Sequence, residues 1–297
     1  MAALDLQMVH DQLVSIALEA GRIMLSAESS RAASATKKNS TDLVTETDRA
    51  VEKFVSTKLL SIFPTFQFIG EETFSPGQSL TDEPTFIVDP IDGTTNFIHN
   101  FPFFCISLGL AVKKVPVVGV IYNPTLEHLY TAFQGNGAYL QIGNNARRRL
   151  PLREAEPLND LSTCLVAAEW GSDRSGPKFE LTSDVFKKLV SAKEIGGSMI
   201  HSMRSIGSAA LSLASVAAGQ NDVYWSEGCW AWDVCAGWCI LTESGGIMAG
   251  LNSGEWECEI EGRMYLAVRG APSGQKAVVQ QLWRVKREVE ENLEQQT

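Results

Sequence analysis

The chain has 297 residues, 44% hydrophobic and 20% charged, with 35 Asp and Glu against 25 Lys and Arg for a net charge of -10. That length can bury a large core in one domain or two tightly packed subdomains, which argues against a solenoid or a tail. The acidic balance disfavours a general nucleic-acid or membrane-surface binder, because such proteins bind through excess Lys and Arg. The one basic run, Arg147-Arg148-Arg149, reads as a solvated turn. No apolar stretch reaches the roughly 18 residues of a membrane span. The six cysteines form no CxxC pair, and no signal peptide opens the chain, so a reduced, intracellular and cytoplasmic protein is expected.

In chain order, Val9, Leu13, Ile16, Ala17, Ala20 and Met24 recur at helical intervals and predict an amphipathic helix over residues 8–27, packed on a sheet. Residues 34–41, small and polar with Lys37 and Lys38, predict a mobile loop able to close over a ligand. Residues 48–63 resume a helical pattern that stops at Pro64. Short β-rich runs follow at 86–88, 105–112, 117–122, 128–132 and 138–140, reading as a mostly antiparallel sheet. Beyond the polar segment 150–161 the pattern alternates: strand 164–168, helix 179–190, helix 208–218, strand 222–225, helix 233–243. The expected class is therefore α/β, with an α+β half over 1–156 and an α/β half over 157–297 that share a rigid interface. Residues 276–297 read as a surface helix that frays.

The most informative stretch is Asp89-Pro90-Ile91-Asp92-Gly93-Thr94-Thr95-Asn96-Phe97, which places two carboxylates beside a glycine turn at the end of an apolar run. Two acids this close repel if both are ionised in a poorly solvated site, so either a proton is retained or a divalent cation offsets the charge. Glu71, in Gly70-Glu71-Glu72, and Asp233, in Trp232-Asp233-Val234, offer further oxygen ligands. An all-oxygen set favours magnesium or manganese over zinc. A phosphate ester, itself an anion, can approach such acids only if metal ions reverse the local charge. That logic selects metal-assisted phosphoryl chemistry, with two ions about 3.5 to 4 Å apart. Gly93 permits close backbone approach, and the amides of Gly93 and Thr94, if they open a helix, would hold phosphate oxygens. Taken singly, each piece has a plainer reading: a turn for the DPIDGT string, surface acids for Glu71 and Glu72, a helix N-cap for Asp233.

Together, Thr41-Asp42-Leu43-Val44-Thr45-Glu46-Thr47-Asp48, Phe68-Ile69-Gly70-Glu71-Glu72, residues 89–97, Gly207-Ser208-Ala209-Ala210, Ala231-Trp232-Asp233-Val234-Cys235-Ala236-Gly237 and Thr242-Glu243-Ser244-Gly245-Gly246 resemble the inositol monophosphatases. These belong to a larger group of magnesium-dependent, lithium-sensitive sugar phosphatases. The resemblance implies a layered αβαβα sandwich, a magnesium requirement of two or three ions per site and a homodimer. It implies that Glu71, Asp89 and the carbonyl of Ile91 hold the activating metal, that Asp89 bridges the ions, and that Asp92 and Asp233 complete the second site. Glu71 would also support a third ion through water. Thr94, hydrogen-bonded to Asp48, would polarise the attacking water, giving Glu71, Thr94 and Asp48 catalytic roles. Gly93 and Thr94 would hold the phosphate, and Gly207, Ser208 and Ala209 would line the polyol side. The substrate is then a small phosphorylated polyol, with myo-inositol monophosphate leading.

One position departs from the family. Seven residues before Asp233, where inositol-selective members carry a glutamate that accepts from ring hydroxyls, this chain has Ser226. Glu227 is adjacent and stands with Ser226 and Asp233 among the substrate-binding candidates, although in an extended segment a neighbouring side chain points the other way. Losing a hydrogen bond to a charged acceptor, about 1.5 to 3 kcal/mol, weakens discrimination by roughly ten- to a hundredfold. Two other readings stay open: a phosphatase for another polyol, sugar or nucleotide phosphate, and a regulatory protein that senses such a metabolite.

Overall fold

The computed structural model describes residues 4–27, 34–36 and 43–295, and shows two large β-sheets, a two-stranded ribbon and seven α-helices, the large sheets and the helices stacked in five layers, αβαβα. Lys37 and Lys38 lie outside the described residues. The expected loop is partly replaced by structure, since β1 (Ser34–Thr36) pairs antiparallel with β2 (Leu43–Thr45).

The outer layer on one side is α1 (Leu6–Ser26) and α2 (Glu46–Ile62). Asp5 caps α1 by accepting from the Met8 amide, and the stripe Val9, Leu13, Ile16, Ala17, Ala20 and Met24 is buried. Glu46 and Asp48 sit in the first turn of α2, where negative charge suits the helix dipole. Both helices cover the seven-stranded sheet formed by β3 (Gln67–Gly70), β4 (Thr85–Asp92), β5 (Cys105–Val112), β6 (Val115–Asn123), β7 (His128–Phe133), β8 (Gly137–Ile142) and β9 (Arg148–Arg149), in that spatial order. Only the β3–β4 pair is parallel. Arg148 and Arg149 therefore form an edge strand rather than a turn; their long cationic side chains suit an exposed sheet edge.

In the second sheet β10 (Leu165–Ala168) lies between β11 (Ser202–Arg204) and the central strand β12 (Val223–Glu227), parallel to both. β14 (Met264–Val268) joins β12 antiparallel and carries β13 (Ile247–Ala249) at the edge, so this sheet is mixed. Between the sheets lie α5 (Ala209–Ala217) and α6 (Ala231–Glu243), whose apolar residues share one core with both sheets. The outermost layer is α4 (Pro177–Val190) and α7 (Gln275–Glu294). α7 is not a frayed surface helix: Val278, Val279, Leu282, Trp283, Val285 and Val289 are buried against the second sheet and α4. Its many charges line the opposite face and hid this stripe.

The middle layer is pressed close by small residues. A Cβ at Gly119 of β6 would lie 2.2 Å from the Ala236 carbonyl oxygen, and one at Gly109 of β5 would lie 2.4 Å from Cys235 Sγ. A Cβ at Gly237 of α6 would meet Leu213 of α5 at 2.6 Å. The first turn of α6 is thereby seated at the end of β4. No helix among the described residues is long and apolar enough to cross a membrane.

Candidate active site

β4 is buried along its whole length and ends in Asp89-Pro90-Ile91-Asp92. Residues three apart on a regular strand face opposite ways. Here the pairing with β5 slips: Asp89 faces Ser107 and Asp92 faces Cys105, so three steps on β4 match two on β5. The irregularity falls at Pro90, which has no N–H to give the ladder, and it turns both carboxyl groups to one side. The Ile91 amide donates to Asp89 Oδ1 at 3.0 Å.

Gly93 follows with φ 93°, a left-handed conformation, and caps the five-residue helix α3 (Thr94–Ile98). A Cβ there would be 3.0 Å from the carbonyl oxygens of both Gly207 and Phe103, so glycine is required twice over. Thr94 Oγ1 is 3.2 Å from Asp48 Oδ1 and 3.1 Å from the Ile91 carbonyl. Asp48 is buried on α2, one turn before Glu52, whose carboxylate accepts the Glu72 amide at 2.7 Å. Glu52 thus braces the turn that carries Glu71, and the Glu71 amide itself donates to the Val88 carbonyl at 3.1 Å.

Asp233 does not cap α6. It lies in the first turn and accepts the amide of the true cap, Trp230, at 2.6 Å, the one half of a capping box that a tryptophan cap allows. Ser107 Oγ donates to the Trp232 carbonyl at 3.2 Å, tying α6 to β5 beside Asp89. Asp92 is gripped by the start of α5: Ser208 Oγ at 2.7 Å, the Ala209 amide at 3.3 Å and the Ala210 amide at 2.6 Å.

The sequence-selected acids Glu71, Asp89, Asp92 and Asp233 therefore converge, and their electrostatics record it. Burial pushes Asp89 well above the usual carboxylate range, and repulsion from Glu71, Asp92 and Asp233 adds to it. Burial likewise raises Asp233, with Asp92 and Glu71 next. Burial lifts Asp92 to about 6, less far because Ser208 and the amides of Ala210 and Ala209 stabilise its charge. Among the described residues no closed cage of three or more His, Cys, Asp or Glu ligands is formed. Burial and mutual repulsion instead favour a proton retained among them. Four mutually repelling carboxyl groups with only oxygen donors fit a hard divalent cation in place of that proton.

Gly207, Ser208 and Ala209 run along one side of this cluster, from a turn with φ 73° at Gly207 into α5. Ser226 is buried near the end of β12 and donates to Cys229 Sγ at 2.7 Å. Glu227 does not join it. Strand alternation turns its carboxyl group away, towards Lys178 and Lys286, so it leaves the set of substrate-binding candidates. Of the four clustered tryptophans, Trp225 and Trp232 are core, whereas Trp230 is 40% exposed, stacked on Trp232 with the Arg263 guanidinium 3.4 Å from its ring centre.

A model of the inositol monophosphatase family matches residues 5–289. The chain belongs to the inositol monophosphatase family. Members are metal-dependent phosphatases, typically using magnesium, and this chain is one of those phosphatases. Among its relatives, inositol monophosphatase 2 of Saccharomyces cerevisiae is 47% identical over 253 residues, 83% of each chain. Inositol monophosphatase 1 of the same yeast is 47% identical over 236 residues, 79% of this chain and 78% of that one. The solved structure of the inositol monophosphatase from Anabaena (Nostoc) sp. PCC 7120 superposes with a TM-score of 0.71 at 28% identity, covering 96% of this chain and 97% of that one.

Two family-site neighbours escaped the sequence reading. Glu52 lies four residues after Asp48 on the buried face of α2, a helical spacing that was visible. Glu169 follows the apolar strand β10, and an acid just beyond the carboxyl end of a parallel strand is a ligand-side position in open α/β sheets.

Proposed function

We propose that this phosphatase hydrolyses the monoester of a small polyol, with myo-inositol monophosphate as the leading substrate. The observation that carries the reading is the meeting of Glu71, Asp89, Asp92 and Asp233 beside the Thr94–Asp48 pair. In this reading Glu71, Asp89, the Ile91 carbonyl, Asp92 and Asp233 hold magnesium, two or three ions per site. Bound there, magnesium would neutralise the acids and the phosphoryl oxygens and make water a stronger nucleophile.

The chain's own groups do the rest. Thr94 donates its hydroxyl proton to Asp48 and so leaves its oxygen lone pairs to accept from a water, which it orients towards phosphorus. Gly93, with no Cβ, lets a phosphate approach the backbone amides of Gly93 and Thr94. Glu52 keeps the Glu71 turn in register, and Ser208 with the first amides of α5 fixes the rotamer of Asp92. Gly207, Ser208 and Ala209 face the polyol, and Ser226 closes that side without a charge.

Ser226 favours a second reading, in which the ester is another polyol, sugar or nucleotide phosphate. We extend the proposal to inhibition by lithium and a homodimer, both resting on the resemblance, and to a cytoplasmic location, resting on the cysteine pattern. Phosphate release by purified protein, with and without magnesium, across inositol 1-phosphate, other polyol phosphates and a nucleotide bisphosphate tests both readings. Magnesium-dependent release from inositol 1-phosphate supports the first; release only from another ester reassigns the substrate.

A further inference from the structure

Residues 205–210 are held from three directions. From the second sheet, Glu169 accepts the Ser205 hydroxyl on Oε2 at 2.7 Å and the amides of Ile206 and Gly207 on Oε1 at 2.9 and 3.0 Å. From α3, Asn96 Nδ2 donates to the Ile206 carbonyl at 2.6 Å and to the Phe103 carbonyl at 2.7 Å. Ser208, Ala209 and Ala210 then bond to Asp92. Gly207 turns the chain at φ 73°, with Asn96 only 2.9 Å from where a Cβ would stand. The side that faces the polyol is thus a short strap whose height is set by Glu169 and Asn96. Asn96 also helps to hold the α3 turn. The partners Ser205, Ile206 and Gly207 of Glu169 all lie in the strap.

We propose that Glu169 is a positioning residue for the alcohol part of the substrate, setting the selectivity for ring polyol phosphates over esters with no hydroxyls to place. The inference rests on the reading of Gly207, Ser208 and Ala209 as the polyol side of the cleft. Glu169 acts through the strap and not on phosphorus. Two amides converging on one carboxylate oxygen make charge-assisted bonds that glutamine, being neutral, only partly replaces. A lowered or loosened strap misplaces the ring, while the phosphoryl end stays on Gly93, Thr94 and the acids.

The test compares wild type with Glu169→Gln on inositol 1-phosphate and on p-nitrophenyl phosphate. The expected result is a rise of about tenfold in KM for inositol 1-phosphate, as for a weakened charged hydrogen bond. Turnover of the aryl ester and the magnesium concentration for half activity should stay within about twofold. Ser205→Ala, which removes one donor and leaves the carboxylate, should shift the same ratio by about threefold and serves if Glu169→Gln does not fold. Parallel losses on both esters, or no change on either, overturn the proposal. A wild-type protein that cleaves the aryl ester and no polyol phosphate overturns the functional reading instead, and does so before any variant is made.

Discussion

Thr94 and Asp48 are 46 positions apart in the chain, yet their side chains meet at 3.2 Å, joining the turn after β4 to the first turn of α2. In the proposed mechanism the pair aims a hydroxyl at the attacking water. Asp48→Asn and Thr94→Val should each lower kcat by about a hundred- to a ten-thousandfold, the range of a positioned proton-transfer group, with KM little changed. Thr94→Ser keeps the hydroxyl and should retain most of the rate. Steady-state kinetics alongside circular dichroism decide this; equal rates for Thr94→Val and Thr94→Ser would remove the hydroxyl from the reaction.

Asp89→Asn should abolish magnesium-dependent turnover, by about a thousandfold or more, equivalent to about 4 kcal/mol of barrier. In chelator the same variant should melt at a higher temperature than wild type, because one repelling charge leaves a buried cluster. Its melting point should then respond less to added magnesium. Unchanged turnover would exclude Asp89 as a ligand.

Stripped of divalent ions, the protein should lose stability as pH rises. The folded pKa values of Asp89, Asp92 and Asp233 lie above the carboxylate range, with Asp92 at about 6. Between about 3.9, the unfolded value, and those raised values the native state binds more protons than the unfolded state, so unfolding free energy falls with pH. The stabilising contribution is complete below the unfolded value and lost as pH passes the folded ones. Asp160, held down at about 2 chiefly by hydrogen bonds from Ser162, acts in the opposite sense but only at lower pH. Thermal melts in chelator should therefore decline from pH 5 to 7.5, and the gain on adding magnesium should grow over the same interval. A flat profile would mean that the cluster is already neutralised in another way.

Ser226→Glu should lower KM for inositol monophosphate by about tenfold, restoring a charged acceptor. It also breaks the Ser226–Cys229 hydrogen bond and adds a fifth acid to the neighbourhood, so its melting point in chelator should drop. Better binding of inositol monophosphate would assign relaxed selectivity to Ser226; no gain counts against it.

Gly119→Ala should destabilise the fold by about 1 to 3 kcal/mol, because its Cβ would fall 2.2 Å from the Ala236 carbonyl oxygen and α6 must lift. Asp233 rides on that helix, so the magnesium requirement should rise with the loss of stability. A variant that melts lower but saturates with magnesium as before would show that Asp233 is placed independently of the helix seat.

Much of this architecture was legible because local signals agreed with tertiary ones. The stripe of α1, the run of β5 and the small-residue helix α5 all carry their burial in their spacing. The ligand candidates were legible as residue types in order along the chain. Their geometry was not. Alternation places Asp89 and Asp92 on opposite faces, and only the slipped register at Pro90, a pairing between strands, brings them together. α7 misled because its charges outnumber its apolar residues locally, while its burial depends on a sheet formed far earlier in the chain. Glu169 offered only its place beyond the end of β10, because its partners, the Ser205 hydroxyl and the amides of residues 206 and 207, follow no spacing.

Asp92 commits both carboxylate oxygens to Ser208, Ala209 and Ala210. In the proposed reading the alcohol side and the cation side of the cleft therefore have a wall in common. Redesign of this enzyme for a new ester cannot treat the two as separate modules. A change that pulls Ser208, Ala209 or Ala210 off Asp92 to admit a larger alcohol also changes the basicity of Asp92, and with it the magnesium concentration at which the enzyme works, whereas one confined to the Glu169 contacts with residues 205–207 leaves those bonds in place.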